Sequence, residues 1–443
     1  MLTFGTDGVR GKFGTELTES YAADLAVVAA QVLQCKTVVI GRDTRESGVL
    51  LETAIANALV KEGIETQLMG VAPTPAIAFS AMRRNVVAIA ITASHNLYQD
   101  NGIKIFGAGG RKLSDSEQEE IEKQLIERTR KSATGAIGAS SDLAKTAKPE
   151  LVKEYCDWLS QIVDTTDFSK LHVVLDCANG AYSNVAPEVF TKLGATVTTI
   201  NATPDGRNIN EQCGATHPAM LCSVVKSVGA HFGIAFDGDG DRLIAVDETG
   251  EIVDGDHLIA ISATEMKRRG TLRNNKVAVT VMTNIGFHQA MKKAEIEVVT
   301  TPVGDRSVLA ALEENSLVLG GEQSGHIIYR DLATTGDGLL AALMLSAIVA
   351  GANKTLGVIA SAAMTSFPQV LINLRVSKRV ENIEKLFESE IAGAEKSLQA
   401  NGRVLVRASG TEPMVRVMVE ASQQATAESV AATLAQAITT RLG

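Results

Sequence analysis

The chain has 443 residues, of which 45% are hydrophobic and 21% charged, and its formal net charge is -9. An acidic chain is a poor ligand for nucleic acid or for an anionic membrane, so neither is expected as a partner. The five cysteines show no paired spacing, and the longest apolar run, residues 339–350, is shorter than the roughly 20 residues of a membrane span. We therefore expect a cytoplasmic protein with reduced thiols, several domains and no signal peptide in the opening MLTFGTDGVRG.

Along the chain, one order of predicted elements occurs three times, within residues 36–96, 171–242 and 276–326. Each copy reads strand, helix, a strand ending in Thr-Pro and a later apolar strand that ends in a polar cluster. Continuous Val/Ile/Leu runs between helices predict mostly parallel sheets covered on both faces, and so three similar mixed α/β domains. Ligands of such sheets bind beyond the carboxyl ends of strands, so the loops ASHN, DGDGDR and GEQSGH are predicted to face one cleft.

The pattern changes near residue 366, where a strand, a helix, two strands around a tight loop and a final helix predict a small α+β domain. A capping box, Ser114 with Glu117, predicts a helix start after the first copy, and residues 131–148 are predicted to form a loop. The predicted domains are residues 1–150, 151–250, 251–365 and 366–443.

The loop DGDGDR is the sharpest chemical signal. Asp237, Asp239 and Asp241 repel one another unless a cation is present, and the two intervening glycines let the backbone turn them toward one point. Oxygen ligands suit a hard divalent cation, Mg²⁺ or Mn²⁺. Glu248 stands at the twelfth position of an EF-hand loop, but Arg242 stands where that loop needs glycine, and a β-hairpin is predicted next. A plain acidic turn is the remaining alternative.

The segment RASGTEP suits a phosphate. Arg407 and Arg416 offer fork-shaped donors, and Ser409, Gly410 and Thr411 offer hydroxyls and an anion-binding turn. The alternative is an isolated Ser-Gly-Thr turn without function.

Other polar loops admit two interpretations each. In GEQSGH, Glu322 and Ser324 suit sugar hydroxyls or an amine, and His326 is either a proton-transfer group or a structural histidine. GRDTRESG, residues 41–48, is either a second anion-binding loop or a charged helix start. NINEQCGATHP, residues 208–218, has the spacing of one zinc pair without a second, so we expect a structural loop.

Ser94 lies at the tip of the predicted strand in ITASHN. A hydrolase nucleophile is disfavoured because the Gly-x-Ser-x-Gly pattern is missing, and a neighbouring His95 on a strand would point away from the serine. Beside a metal loop and a phosphate loop, a phosphorylated serine fits better than an ordinary turn. Whether His95 contacts that phosphate or only shapes the loop is open.

Five motifs span nearly the whole chain: FGTDGVRG, TASHNxYxDNGIK, DGDGDR, GEQSGH and RASGTEPMVRVMVE. Because these motifs occur together and in this order, the chain resembles the α-D-phosphohexomutase superfamily. The resemblance implies four domains around a central cleft, the last with a TATA-box-binding-protein-like fold. It also implies an isomerase that interconverts glucosamine 6-phosphate and glucosamine 1-phosphate through a 1,6-bisphosphate. The alternatives are a phosphomannomutase or phosphoglucomutase of the same superfamily and a metal-dependent sugar phosphatase, whose DxDxT motif is missing.

The resemblance also assigns roles to residues. Ser94 is the expected phosphoserine, and its phosphate is expected to bind Mg²⁺ together with the three aspartates of DGDGDR. The expected substrate-binding residues are Glu322, Ser324, Arg407, Ser409, Gly410, Thr411 and Arg416. Lys104 and His326 are expected to transfer protons or stabilise charge, with Arg10 and Arg242 nearby. A homodimer is expected from the family, and Leu97, where the family usually has proline, is expected to loosen the serine loop.

Overall fold

The computed structural model describes residues 2–5, 7–132, 147–163, 165–378, 380, 382–408 and 413–443. The chain divides into two compact units, Met1–Val281 with Ile296–Ser361, and Met282–Glu295 with Ala362–Gly443. The first unit holds three sheets, and the second holds one.

The first module of the first unit is a five-stranded sheet with four helices. Its elements are β1 Val9–Lys12, α1 Glu19–Val32, β2 Thr37–Arg42, α2 Glu46–Lys61, β3 Glu65–Val71, α3 Thr74–Arg84, β4 Val87–Ile91, β5 Asp100–Phe106 and α4 Asp115–Ser132. The strand order is β1-β5-β4-β2-β3, and β2 is parallel to both β3 and β4. β5 is antiparallel to β4, and β1 is antiparallel to β5. Every residue of β4 is buried, so both faces of the sheet are covered at this strand.

The second module repeats this topology after the helix α5 Pro149–Ile162. Its elements are β6 His172–Asp176, α6 Val185–Lys192, β7 Thr196–Ile200, α7 Ala219–Val228, β8 Phe232–Phe236, β9 Leu243–Asp247 and β10 Ile252–Val253. The strand order is β10-β9-β8-β6-β7. The predicted hairpin after DGDGDR is confirmed, because β9 pairs antiparallel with both β8 and β10.

The third module has a four-stranded sheet in the order β12-β11-β13-β14. Its elements are α8 Gly255–Arg268, β11 Lys276–Thr280, β12 Glu297–Thr301, α10 Asp305–Glu314, β13 Leu319–Gly321, β14 Ile327–Tyr329, α11 Gly338–Ala352 and α12 Leu356–Ala363. Again the first strand, β11, is parallel to the next two and the last strand is antiparallel. The predicted threefold repeat is thus confirmed, with a parallel centre of three strands extended by antiparallel strands in each copy.

The second unit is built on an antiparallel sheet in the order β15-β17-β16. Its elements are α9 Ile285–Lys293, β15 Gln369–Arg375, α13 Ile383–Leu386, α14 Glu388–Leu398, β16 Gly402–Ala408, β17 Met414–Ala421 and α15 Gln424–Leu442. The predicted strand–helix–two strands–helix order is confirmed, except that the first helix is broken at Phe387 into α13 and α14. Glu420 is fully buried and accepts hydrogen bonds from the Ile285 amide and from Arg403, which fixes the start of α9 within this unit.

The helix start predicted at Ser114 is present in the structure. Glu117 accepts from the Ser114 amide at 2.8 Å and its own amide donates to the Ser114 hydroxyl at 3.2 Å, so the capping box at α4 is confirmed. Short 3₁₀ turns lie at Ala108–Gly110, Gly214–Thr216, Arg273–Asn275 and Gln399–Asn401. Among the described residues no single helix is long and apolar enough to cross a membrane, and the apolar pair α11 and α12 is bent by 101° at its break.

Candidate active site

The three polar loops occupy the same position in each module of the first unit, directly after the third parallel strand. Ser94 follows β4, the three aspartates follow β8, and Glu322 follows β13. The structure brings these loops together, since the Ser94 hydroxyl donates to Asp237 Oδ2 at 2.5 Å and His326 Nδ1 lies 3.8 Å from Asp241 Oδ1. The predicted meeting of the loops at one place is confirmed.

The three aspartates form a compact buried cluster. One carboxylate oxygen from each of Asp237, Asp239 and Asp241 lies within 4.8 Å of the others, and all three residues are at most 2% exposed. The turn depends on Gly240, whose φ is +78° and where an added Cβ would lie 2.2 Å from the Tyr182 ring. A residue with a side chain would therefore be both strained and blocked at this position.

Within the described part of the chain, some carboxylate oxygens of this cluster accept hydrogen bonds and others do not. Lys104 Nζ bonds Asp239 Oδ2 at 2.8 Å and Asp241 Oδ2 at 2.9 Å, while Asp237 accepts from the Ser94 hydroxyl and the Arg242 amide. Oδ1 of Asp239 and Oδ1 of Asp241 are buried without a hydrogen-bond partner among the described residues. Buried anionic oxygens without donors are costly, and an all-oxygen set of this size fits a hard divalent cation.

Lys104 is held as an ammonium ion. Burial opposes its charge, but Asp239, Asp241 and Asp7 outweigh burial and raise its pKa well above the usual value. Burial likewise opposes ionisation of Asp241, yet the Lys104 charge and the His326 ring, 3.8 Å away, hold its pKa well below the usual range. For Asp237, burial and then its two acidic neighbours raise the pKa. These directions favour charge stabilisation rather than proton acceptance by Lys104.

Ser94 is fully buried with a left-handed backbone, φ +53°. For a residue other than glycine this conformation costs about 1–2 kcal/mol, so other contacts must hold it. It also overturns one prediction: His95 does not point away, because its Nδ1 lies 3.4 Å from the Ser94 hydroxyl. The strand ends at Ile91, so the alternation of side chains along a strand does not extend to this pair.

A cavity of about 420 Å³ opens beside the cluster. It is lined by Thr3, Gly5, Asp7, Gly8, Arg10, His95, Asp241, Arg242, Val303, Gly304, Asp305, Glu322 and His326. Arg10 pairs with Asp7 at 2.7 Å, and Arg242 Nε lies 3.7 Å from Asp241 Oδ1. Burial, followed by the charges of Arg242 and Arg10, lowers the pKa of His95. Two arginines, two histidines and four carboxylates therefore line this cavity, which suits a polar ligand that both accepts and donates hydrogen bonds.

The GEQSGH side chains differ in their surroundings. Glu322 accepts from the Gly304 amide at 3.1 Å, and His326 Nε2 accepts from the Gly336 amide at 3.1 Å. Both side chains line the cavity, whereas Ser324 is exposed.

The predicted phosphate-binding segment belongs to the second unit. Arg407 on β16 and Arg416 on β17 are direct cross-strand partners, the first half-buried and the second exposed. Ser409, Gly410 and Thr411 lie outside the described residues. Two like charges opposite each other in an antiparallel pair are unfavourable without an anion, which agrees with a phosphate-binding role.

Sequence reasoning did not identify the residues that hold the Ser94 loop. The charged stretch at residues 41–48 is a helix start, one of its two interpretations, since α2 begins at Glu46, but Arg45 within it is fully buried and donates to backbone carbonyls of the Ser94 loop. The segment at residues 208–218 is a structural loop as predicted, and its Asn210 donates to the Ser94 carbonyl at 2.9 Å. An arginine at a helix start gives no sign in the sequence that it is buried.

Four family models together match almost the whole chain. They are the phosphoglucomutase/phosphomannomutase alpha/beta/alpha domains I, II and III, at residues 1–132, 153–250 and 254–367, and the C-terminal domain of the same family, at residues 371–437.

Curated relatives are similar along their full length. The chain is 44% identical over 450 residues to the phosphoglucosamine mutase of Bacillus velezensis, covering 99% of both chains. It is 45% identical over 440 residues to that of Rhodococcus jostii, covering 98% of both.

Solved structures share the fold at lower identity. A putative phosphomannomutase from Thermus thermophilus superposes with a TM-score of 0.79 at 22% identity, covering 99% of both chains. The Aspergillus fumigatus N-acetylphosphoglucosamine mutase, in complex with GlcNAc-6P and magnesium, superposes with a TM-score of 0.70 at 18% identity, covering 99% of this chain and 95% of that one.

Proposed function

The chain belongs to the phosphoglucomutase/phosphomannomutase family and functions as a phosphoglucosamine mutase, and on this premise we propose that Ser94 carries the phosphoryl group exchanged with the sugar. The observation that supports this most directly is the buried Ser94 hydroxyl 2.5 Å from Asp237, with a backbone conformation that aims it at the acidic cluster. A buried serine hydroxyl this close to three carboxylates is the arrangement expected of a phosphoserine beside a cation site.

In the proposed reaction, the free hydroxyl of a hexosamine phosphate attacks the phosphorus of phospho-Ser94. A new O–P bond forms as the bond from phosphorus to Ser94 Oγ breaks, giving a 1,6-bisphosphate. The hydroxyl proton passes to Nδ1 of His326 on the cavity wall, because Nε2 already accepts from the Gly336 amide, and the released Ser94 Oγ takes up one proton to become a hydroxyl, so the number of protons is unchanged. Lys104 with Arg10 and Arg242 stabilises the negative charge. After the bisphosphate turns over, its other phosphate returns to Ser94, so the sequence is repeated in reverse.

We propose Mg²⁺ as the cation held by Asp237, Asp239, Asp241 and an oxygen of phospho-Ser94. When bound, it would neutralise phosphate charge and make the phosphoryl group easier to transfer. The unpartnered Oδ1 atoms of Asp239 and Asp241 support this assignment. Mg²⁺ should therefore raise the thermal midpoint of the wild type, and Asp239→Asn should lose most of that shift; equal shifts in both proteins would contradict the assignment.

Substrate-binding roles are proposed for residues of each unit separately. Glu322 lines the cavity and is assigned to sugar hydroxyls together with Ser324. Arg407, Ser409, Gly410, Thr411 and Arg416 are assigned to the phosphate that is not reacting. Because the sugar must bind in two orientations, these groups are expected to recognise features that the two orientations share.

The decisive experiment is Ser94→Ala. We expect the wild type to carry a partial mass increment of one phosphoryl group mapped to Ser94, and the variant to lose that increment and its mutase activity even with added bisphosphate. Ser160→Ala is the matched control, since Ser160 is also buried but donates only within α5, to the Cys156 carbonyl. Full activity in Ser94→Ala would exclude the phosphoserine role.

Sugar preference is tested separately. Turnover of glucosamine, glucose and mannose 6-phosphates is expected to be highest with glucosamine, because the chain is 44–45% identical to phosphoglucosamine mutases along its length. Release of inorganic phosphate without isomerisation would instead favour the phosphatase alternative. A homodimer and a cytoplasmic location remain predictions.

A further inference from the structure

The backbone of Ser94 is held at both of its polar groups. Its amide donates to the Thr92 hydroxyl at 2.9 Å, and that hydroxyl donates to Asp43 Oδ2 at 2.7 Å. Its carbonyl accepts from Arg45 Nη2 at 3.0 Å and from Asn210 Nδ2 at 2.9 Å. These four side chains, Asp43, Thr92, Arg45 and Asn210, are called the serine clamp below.

Arg45 is the centre of the clamp. Its side chain is fully buried, its Nε donates to Asp43 Oδ2 at 2.8 Å, and its other nitrogens donate to the carbonyls of Ser94, Asn96, Leu97 and Asp100. One planar guanidinium therefore fixes four carbonyls of a single loop, which the compact ammonium of a lysine cannot do. The Leu97 carbonyl is among them, so the loop is held at the position where proline is missing.

The clamp joins two modules of the first unit. Asn210 comes from the second module and also donates to the Asn96 carbonyl at 3.0 Å. On either side of Arg45, the Thr44 hydroxyl donates to the Asn179 carbonyl at 2.6 Å and the Glu46 amide donates to the Gly206 carbonyl at 2.9 Å. The loop that carries Ser94 is therefore registered against the same module that supplies the acidic cluster.

We propose that Arg45, Thr92 and Asn210 are positioning residues for phosphoryl transfer: they hold Ser94 in its left-handed conformation, so that its Oγ faces the cation site rather than the solvent. The inference rests on the proposed function of Ser94. None of the three touches the cavity, so their effect passes through the Ser94 backbone. Misplacement of a reacting atom by about 1 Å can cost on the order of 10²-fold in rate.

The test uses the full-length enzyme loaded with Mg²⁺. Arg45→Lys keeps the charge that faces Asp43 but loses the fork, and we expect kcat to fall by about 10²-fold with KM changed less than about threefold. Rephosphorylation of Ser94 by a hexosamine 1,6-bisphosphate, followed by intact mass in a single turnover, should slow by the same factor. Asn210→Ala should show a smaller loss of the same kind.

Two controls separate positioning from folding. Arg84→Lys changes the same residue type within the first module, at an ion pair with Glu154 that does not reach the Ser94 loop, and should leave kcat unchanged. Thr92→Val is nearly isosteric and removes only the hydroxyl, whereas Thr92→Ser restores it. We expect Thr92→Val to lose about tenfold or more in kcat and Thr92→Ser to recover most of it. If Arg45→Lys does not fold, the comparison of Thr92→Val with Thr92→Ser still tests the positioning role.

The proposal is overturned if folded Arg45→Lys and Thr92→Val phosphorylate Ser94 at the wild-type rate, or if their losses lie in KM alone. That outcome leaves the role of Ser94 intact, because the wild type would still carry its phosphoryl group. Failure of the proposed function shows differently, as a Ser94 that is never phosphorylated in the wild type.

Discussion

Single buried charges decide much of this site. Lys104 is 3% exposed and forms ion pairs with Asp7, Asp239 and Asp241. One ammonium group therefore reduces the repulsion among three carboxylates. Asp337 is a second such residue: it caps α11 through the Leu340 amide and accepts from the hydroxyl of Tyr155. Each makes a separate prediction.

Replacing Lys104 by Met should destabilise the protein by about 3–5 kcal/mol in the presence of a chelator, because the buried carboxylates of Asp239 and Asp241 lose the ammonium that they share, whereas Asp7 keeps its ion pair with Arg10. Mg²⁺ should restore part of that loss, since a divalent cation can balance the same oxygens. Chemical unfolding with and without Mg²⁺ measures both effects. Lys12→Met is the control, because Lys12 is exposed; equal midpoints for the two variants would contradict the role of Lys104.

Asp337 should make stability depend on pH. Burial raises its pKa from 3.8 to about 6, while Tyr155 and Tyr182 partly oppose this by donating hydrogen bonds. The native carboxyl binds its proton more tightly than the unfolded one, so its contribution is full below the unfolded pKa and is lost as pH rises through about 6. Asparagine cannot ionise, so it does not lose this contribution as the pH rises. Between about pH 4 and pH 7, the free energy of unfolding of Asp337→Asn should therefore rise by about 3 kcal/mol relative to that of the wild type. Parallel stability curves for the two proteins would refute this.

At the scale of elements, the GEQSGH loop needs a glycine where the backbone of another element approaches. Gly325 has φ +88°, and a Cβ there would lie 1.9 Å from the carbonyl oxygen of Leu243 at the start of β9. The GEQSGH loop of the third module therefore packs directly on the strand that follows DGDGDR. Glycine is required by conformation and by space together, which a sequence motif alone does not distinguish.

The effects of backbone conformation and of available space can be separated by a pair of substitutions. Gly270 has φ +72° with nothing within 4 Å of an added Cβ, so Gly270→Ala should cost only about 1 kcal/mol of backbone strain. Gly325→Ala carries the same strain plus a clash with backbone, and should cost several kcal/mol and most of the activity, roughly in line with the large losses known for strained, overpacked sites. Thermal unfolding and mutase assays on both variants give the comparison; similar losses would show that space is not limiting.

At the scale of the whole molecule, the first unit is held together by contacts between modules that lie beside the cavity. Arg306 of the third module donates to Gln118 at 3.0 Å and to the Leu113 carbonyl at 3.2 Å, and pairs with Asp115, all at the start of α4 in the first module. Because α4 starts at the capping box, Arg306 binds a segment whose geometry is already fixed.

Arg306→Ala should therefore lower stability by about 1–2 kcal/mol and raise KM, since Arg306 directly follows the cavity residues Val303, Gly304 and Asp305. Arg273→Ala is the matched control: Arg273 pairs with Asp331 at the surface of the third module, where an exposed ion pair contributes about 0–1 kcal/mol. Urea midpoints and KM values report the two effects. An unchanged KM in Arg306→Ala would show that the contact stabilises the fold without shaping the cavity.

The sequence by itself determined the threefold order of elements, the different last domain and the loops that carry chemistry. These signals are local: apolar strands between helices, glycines that allow turns, and acidic or basic side chains in short loops. Ser94 and the three aspartates could be selected because their residue types have few other uses at the ends of buried strands. Their family followed from the joint order of the motifs.

Only the tertiary structure decided how the loops act on one another. The contacts of Ser94 with Asp237, of Lys104 with two aspartates and of Asn210 with the Ser94 carbonyl join residues far apart in sequence. The burial of Arg45 and the orientation of His95 follow from a left-handed residue beyond the strand end, where alternation no longer applies. Side-chain periodicity describes one element at a time, whereas burial and electrostatics depend on every element that packs around a site.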